Sequence, residues 1–256
     1  MSAGESYTLL LALLFALAAG LVGCFALMKR MLLASDVISH LALPGLGIAF
    51  LLKVNPLAGG AATLFLGTLL VWRLEKKSGL ATDAAIGVVF AGALAIGAAV
   101  TPNEDLIEAL FGNFAPLPLT GFLLGLAGVL LVIISVLWLK DQLILILFSP
   151  DLGATTGLNV DRLNLWFLLI FSLTVLIGLR FMGALLSSAL IILPAATARQ
   201  VTDKLSHFIL VSLIISVLSV VFGFVVAAAF HTSMVGPAIV IFSALLFGLS
   251  LLVKRK

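Results

Sequence analysis

The stretch SDVISHLALPG, residues 35–45, sets a carboxylate (Asp36), an imidazole (His40) and a proline (Pro44) inside a run that is otherwise apolar or small. Its surroundings decide what those groups mean. The chain of 256 residues is 63% hydrophobic and 10% charged, with a mean hydropathy of +1.34, whereas a soluble domain is nearer half apolar. Several runs approach or exceed the ~20 apolar residues that cross a hydrocarbon core of about 30 Å. No alternating strand pattern is present, so backbone groups in lipid must be satisfied within helices. The expected fold is therefore all-α, a polytopic integral membrane helical bundle with about 8–9 transmembrane helices.

Reading outward from residue 35, apolar segments fall at 8–28, 31–52, 56–72, 83–101, 121–139, 164–179, 181–198, 206–229 and 235–253. They make one transmembrane domain over residues 1–256. Leu21-Val22-Gly23-Cys24 looks like a lipoprotein cleavage box, but a secretory leader opens with basic residues and this one holds Glu5 instead. The first segment is thus read as a retained span. Cys24 is the single cysteine, which excludes an intrachain disulfide and a cysteine-rich metal site.

If every segment crosses, Lys29, Arg30, Arg73, Lys76, Lys77, Lys140, Arg162, Arg199, Lys204, Lys254, Arg255 and Lys256 lie on one side, and only Lys53 and Arg180 on the other. Basic residues concentrate on the cytoplasmic side of membrane proteins. The N-terminus is accordingly expected outside and the C-terminus in the cytoplasm of a cell inner (plasma) membrane protein. The net charge of +3 is a topology signal and not a nucleic-acid footprint.

Asp36 and His40 are four residues apart and share one face of a helix. With Arg30 at the inner interface, a rise of ~1.5 Å per residue puts them about 9 and 15 Å into the membrane. Pro44 has no N–H and is expected to break the helix and leave the His40 carbonyl without its donor. Carboxylate, imidazole and carbonyl together suit Zn²⁺, Mn²⁺ or Fe²⁺ and not soft Cu⁺. Ionisable groups at this depth are costly and mark pathways, the alternative being that Asp36 and His40 only hydrogen-bond to neighbouring helices as structural glue. Ser39 reads as packing surface, and Gly45 and Gly47 allow a close backbone approach.

Four other stretches carry information. Residues 149–164, SPDLGATTGLNVDRLN, are polar and lie on the expected cytoplasmic side; Ala154, Leu158 and Val160 allow a short amphipathic helix that docks on a soluble partner. Residues 183–200, GALLSSALIILPAATARQ, are rich in small residues and able to pack tightly, with Pro194 expected to break or loosen the helix. TSMVGPAIVI (232–241) leads into the last span. Glu104, Asp105 and Glu108 form an outer acidic loop able to attract a divalent cation or steer a partner, or simply to be solvated.

Nearly end to end, the chain resembles the permease (transmembrane) subunit of the zinc/manganese/iron metal-ion ABC importer family. The pieces that carry the resemblance are DVISHLALPG (36–45), NPLAGG (55–60), DAAIGVVF (83–90), LFGN (110–113), SPDLGATTGL (149–158), LLSSALIILPAATAR (185–199) and GPAIVIFSALLF (236–247). The resemblance implies a homodimer served by two cytoplasmic ABC ATPase subunits and an extracytoplasmic metal-binding protein. It also implies that Asp36 and His40 line the metal path, and that Asp151, Leu152, Gly153, Ala154, Gly157 and Leu158 couple to the ATPase. The chain has no G-x-x-x-x-G-K-[ST] motif and no Gly followed by Lys, so it cannot cradle ATP phosphates itself. It is expected to be a transporter subunit and no enzyme, with no resident cofactor and ATP on the partner chain.

Two rival classes follow from the same residues. An ion-coupled secondary metal transporter would use Asp36 and His40 as a relay and need no ATPase. An intramembrane hydrolase would use His40, His207 or His231 as base, but Ser39 and His40 are adjacent and point to different helix sides.

Overall fold

The computed structural model describes residues 3–32, 34–100, 117–230 and 235–252. Among them every regular element is helical: α1 Ala3–Met28, α2 Ala34–Ser39, a 3-10 turn His40–Ala42, α3 Leu43–Leu52, α4 Pro56–Ser78, α5 Thr82–Val100, α6 Leu119–Phe148, α7 Pro150–Thr155, α8 Val160–Met182, α9 Ala184–Val201, α10 Leu205–Ala229 and α11 Val235–Ser250. Among the described residues six stretches are long and apolar enough to span a bilayer: α1, the α2–α3 pair, α4, α6, α8 and α10; α5, α9 and α11 contribute shorter apolar stretches. The largest boundary difference is at 121–139, where α6 continues to Phe148 and carries Lys140 and Asp141 within the helix.

α1 is the hub. It is apolar all round, without a polar stripe, and such a helix belongs inside. Leu11, Phe15, Val22 and Phe25 are inaccessible, with α6, α8, α9 and α10 packed around them. Lipid tails are as apolar as leucine, so association in the membrane relies on close backbone approach and interhelical hydrogen bonds. Both occur here. A methyl group on Gly23 would strike the Ile191 carbonyl of α9. Ser216 Oγ donates to the Ala16 carbonyl at 2.7 Å and Ser212 Oγ to the Gly20 carbonyl at 3.0 Å, tying α10 antiparallel to α1. Farther out, the Thr68 and Ser172 hydroxyls join α4 to α8 at 2.6 Å.

The ends of the helices sort by charge. The Leu117 N–H donates to the Gly4 carbonyl and Tyr7 stacks on Phe122, so α1 and α6 start together and run parallel. At the opposite face Lys29 Nζ donates to Asn164 Oδ1, Lys76 pairs with Asp161 at 3.0 Å, and Arg30 and Arg199 line one cavity. Basic residues placed on one side by the sequence thus share a face of the bundle.

Pro194 does not break its helix. α9 runs through it from Ala184 to Val201, because α1, α8, α10 and α11 pack around α9 and hold it straight enough to absorb one lost donor. Pro44 instead sits in the first turn of α3, where a missing N–H costs nothing.

α3 and α4 cross backbone to backbone. A methyl on Gly45 would collide with the Gly59 carbonyl, and one on Gly59 with the Gly45 carbonyl. The Thr63 hydroxyl lies within reach of the Ala42, Gly59 and Gly60 carbonyls at the same crossing. Gly45→Ala should therefore destabilise the bundle by about 1–3 kcal/mol, as overpacking does. A thermal melt of the detergent-solubilised protein checks this; an unchanged midpoint would mean that the helices part without cost.

Candidate transport site

The segment holding Asp36 and His40 is built from two short helices and a tight turn. α2 lasts six residues and buries Ala34, Ser35, Ile38 and Ser39, leaving the Asp36 carboxylate exposed. The chain then narrows to a 3-10 turn, and the Leu43 N–H donates to the His40 carbonyl. The free His40 carbonyl expected from Pro44 is thus not present. The reason is local: an i→i+3 turn takes its donor from the residue before the proline, so the missing proline N–H is never needed. The candidate donors left on this segment are two side chains, not two side chains and a carbonyl.

His40 is half-buried, its ring 5.7 Å from that of Phe90 on α5 and inclined at 52°. Phe90 was not singled out by sequence, since an aromatic in an apolar helix gives no signal of its own. Ser39 is 2% exposed and its hydroxyl donates to the Asp36 carbonyl at 2.6 Å. With its hydroxyl proton committed to that carbonyl, Ser39 counts against a hydrolase reading.

No group of three or more His, Cys, Asp or Glu able to hold a metal is assembled among the described residues. Zinc takes four ligands in closed sites and three protein ligands in open ones, so Asp36 and His40 by themselves would not complete a coordination sphere. Glu104, Asp105, Glu108 and His231 lie outside the described residues. His207 is exposed in the first turn of α10.

The segment 149–164 forms the six-residue α7 followed by a turn, not one amphipathic helix. Ser149 opens it by accepting the Gly153 N–H at its carbonyl, and Gly157, in the left-handed region at φ +82°, closes it. Asn159 then caps α8 by accepting the Arg162 N–H. Gly153 is buried against Ile146 of α6. Asp151 and Leu152 face outward, Leu152 with 57% of its surface exposed. Ala154 belongs to α7, whereas Leu158 and Val160 lie beyond it and pack against the main core. The apolar face expected from Ala154, Leu158 and Val160 is therefore divided, and Leu152 is the large apolar group left outside.

Sequence reading missed a polar network at the basic end of the bundle. Lys29 donates to Asn164 and stands 5.4 Å over the Phe167 ring. Burial pushes its ammonium below the usual lysine range, and the nearby Glu75 carboxylate partly offsets that. Thr82 donates to Glu75 at 3.1 Å, and Trp72 Nε1 to the Asp161 carbonyl at 2.9 Å. The ends of α1 and α4 are thereby fixed to the start of α8. Its members are scattered over Lys29, Trp72, Glu75, Thr82, Asp161 and Asn164, so no local pattern reveals it.

A broken intramembrane helix that carries a carboxylate and an imidazole, inside a bundle with a short surface helix on its basic face, defines a multi-pass membrane permease. Residues 6–254 match the family described as the ABC 3 transport family. The high-affinity zinc uptake system membrane protein ZnuB of Haemophilus influenzae is 30% identical over 241 residues, covering 92% of each chain. The manganese import system permease protein ScaB of Streptococcus gordonii is 29% identical over 252 residues, covering 97% of this chain and 90% of that one. The solved structure of PsaBC from Streptococcus pneumoniae in complex with Fab superposes with a TM-score of 0.83 at 25% identity, covering 100% of this chain and 94% of that one. The chain belongs to the ABC 3 transport family, the family of the zinc and manganese permeases just named.

Proposed function

We propose that this protein is the transmembrane subunit of an ABC importer that moves divalent transition-metal ions, zinc, manganese or iron, into the cytoplasm by alternating access. The observation that carries the reading is the incomplete donor set: an exposed Asp36 and a half-buried His40 on one broken helix, two ligands where a metal needs more. A second copy related by a two-fold axis supplies the other pair, and its carboxylate balances the second charge of the ion. An uncompensated divalent ion in low dielectric would be very costly. Zinc and manganese relatives support the ligand class, because carboxylate and imidazole serve both metals.

In this reading a metal-binding protein docks on the outer face and releases its ion toward Asp36 and His40. ATP hydrolysis on two cytoplasmic subunits, gripping α7, then favours the inward-open state. The test is metal-resolved uptake by the complex reconstituted with its ATPase and donor protein. Saturable uptake of zinc or manganese that requires ATP supports it. Uptake that proceeds without the ATPase and follows an ion gradient would replace it with a secondary transporter.

The dimer makes a separate prediction. Ser39 is buried within its own chain and is unsuitable for cross-linking. Leu43 is half-buried, so Leu43→Cys, with Cys24→Ser, should give an intermolecular disulfide in an active complex. Gel shift reads it, and only monomer under oxidising conditions would move this helix away from the two-fold axis.

A further inference from the structure

On the basic face, away from Asp36 and His40, α6 and α10 both pack on α1 and leave a cavity of about 370 Å³ between their ends. Its polar wall is Arg30 and Arg199 with Asp203, and its apolar wall includes Phe148, Leu205 and Phe208. Phe148, the last residue of α6, is 75% exposed, a large ring at the rim. The volume falls in the range of small-ligand sites, about 300–1,000 Å³. Two guanidinium groups against one carboxylate give a net positive lining. α6 and α10 also expose apolar side chains along the membrane depth, Leu137 and Trp138 on one and Leu210 and Ile214 on the other.

The backbone at Arg30 adds a second observation. Arg30 closes α1 in the left-handed region at φ 60°. Its N–H donates to the Leu27 carbonyl, and the Met31 N–H to the Ala26 carbonyl, a Schellman turn whose left-handed position glycine fills without strain. The chain keeps an arginine there.

We propose that this cavity is a binding site for an anionic glycerophospholipid, the occupant being phosphatidylglycerol. Arg30 and Arg199 donate to the phosphodiester oxygens, and Asp203 accepts from the hydroxyls of the headgroup glycerol. The acyl chains run along the apolar surfaces of α6 and α10. Basic pockets between transmembrane helices on the cytoplasmic side bind anionic headgroups in this way.

Native mass spectrometry of the full chain in detergent, titrated separately with dioleoyl phosphatidylglycerol, phosphatidylethanolamine, phosphatidylcholine and soluble glycerol phosphate, tests it. Wild type should retain phosphatidylglycerol at least about tenfold more tightly than phosphatidylethanolamine or phosphatidylcholine, and glycerol phosphate should bind weakly or not at all. Arg30→Gly combined with Arg199→Gln should remove that preference. The glycine relieves the turn, so the variant folds, and its melting point in phosphatidylcholine alone confirms this. Equal retention of phosphatidylglycerol by wild type and variant overturns the proposal, as does equal retention of all three lipids by wild type. Tight binding of glycerol phosphate alone would assign the site to a soluble anion instead. If the variant loses its ATPase subunit while keeping the lipid preference, the cavity is part of the ATPase dock and the proposal fails.

Discussion

Uptake of zinc or manganese by the reconstituted complex should fall by roughly 100-fold or more in Asp36→Ala and in His40→Ala. Losing a hydrogen-bonding neighbour of a metal ligand already costs 10–100-fold, and in the proposed dimer each substitution would remove two ligands at once. The Asp36 carboxylate is exposed on a six-residue helix whose opposite side is buried, so its removal leaves the packing intact. Membrane insertion and recovery of the ATPase subunit should match wild type. His40→Ala also gives up the contact with Phe90, and His40→Gln separates packing from ligation by keeping most of the volume. Near-normal uptake in Asp36→Ala would remove this helix from the ion path.

The second large effect concerns α7. Leu152→Asp should weaken ATPase binding by about 2–4 kcal/mol, the range for an apolar anchor at an interface, and uptake should fall with it. A pull-down of the ATPase beside a membrane-insertion assay on the same variant reads the two separately. Leu152 is the suitable position because it is exposed, whereas Leu158 packs on the core, so a charge there would damage the permease itself. Insertion should be unaffected, since topology follows the spans and their flanking basic residues. Normal ATPase binding with normal uptake would shift attention to RQVTDKLS, residues 199–206, the neighbouring link on the same face.

Much of this protein is legible along the chain because the bilayer makes local demands. Length and hydropathy of a segment decide whether it crosses, and flanking charge decides the side, so the spans, the shared face of Lys29, Arg30, Lys76 and Arg199, and the placement of Asp36 and His40 within a span all follow from residues close in sequence. What pairs distant residues was beyond such reading. The tertiary structure alone decided that Pro194 is held in a continuous helix by the helices around it, that the Leu43 N–H satisfies the His40 carbonyl, and that Leu158 turns inward while Leu152 stays out. It also decided that Gly45 meets Gly59 and that Lys29 reaches Asn164. Each of these is an interhelical distance or a choice between two turn geometries of similar energy, and neither composition nor periodicity carries that information.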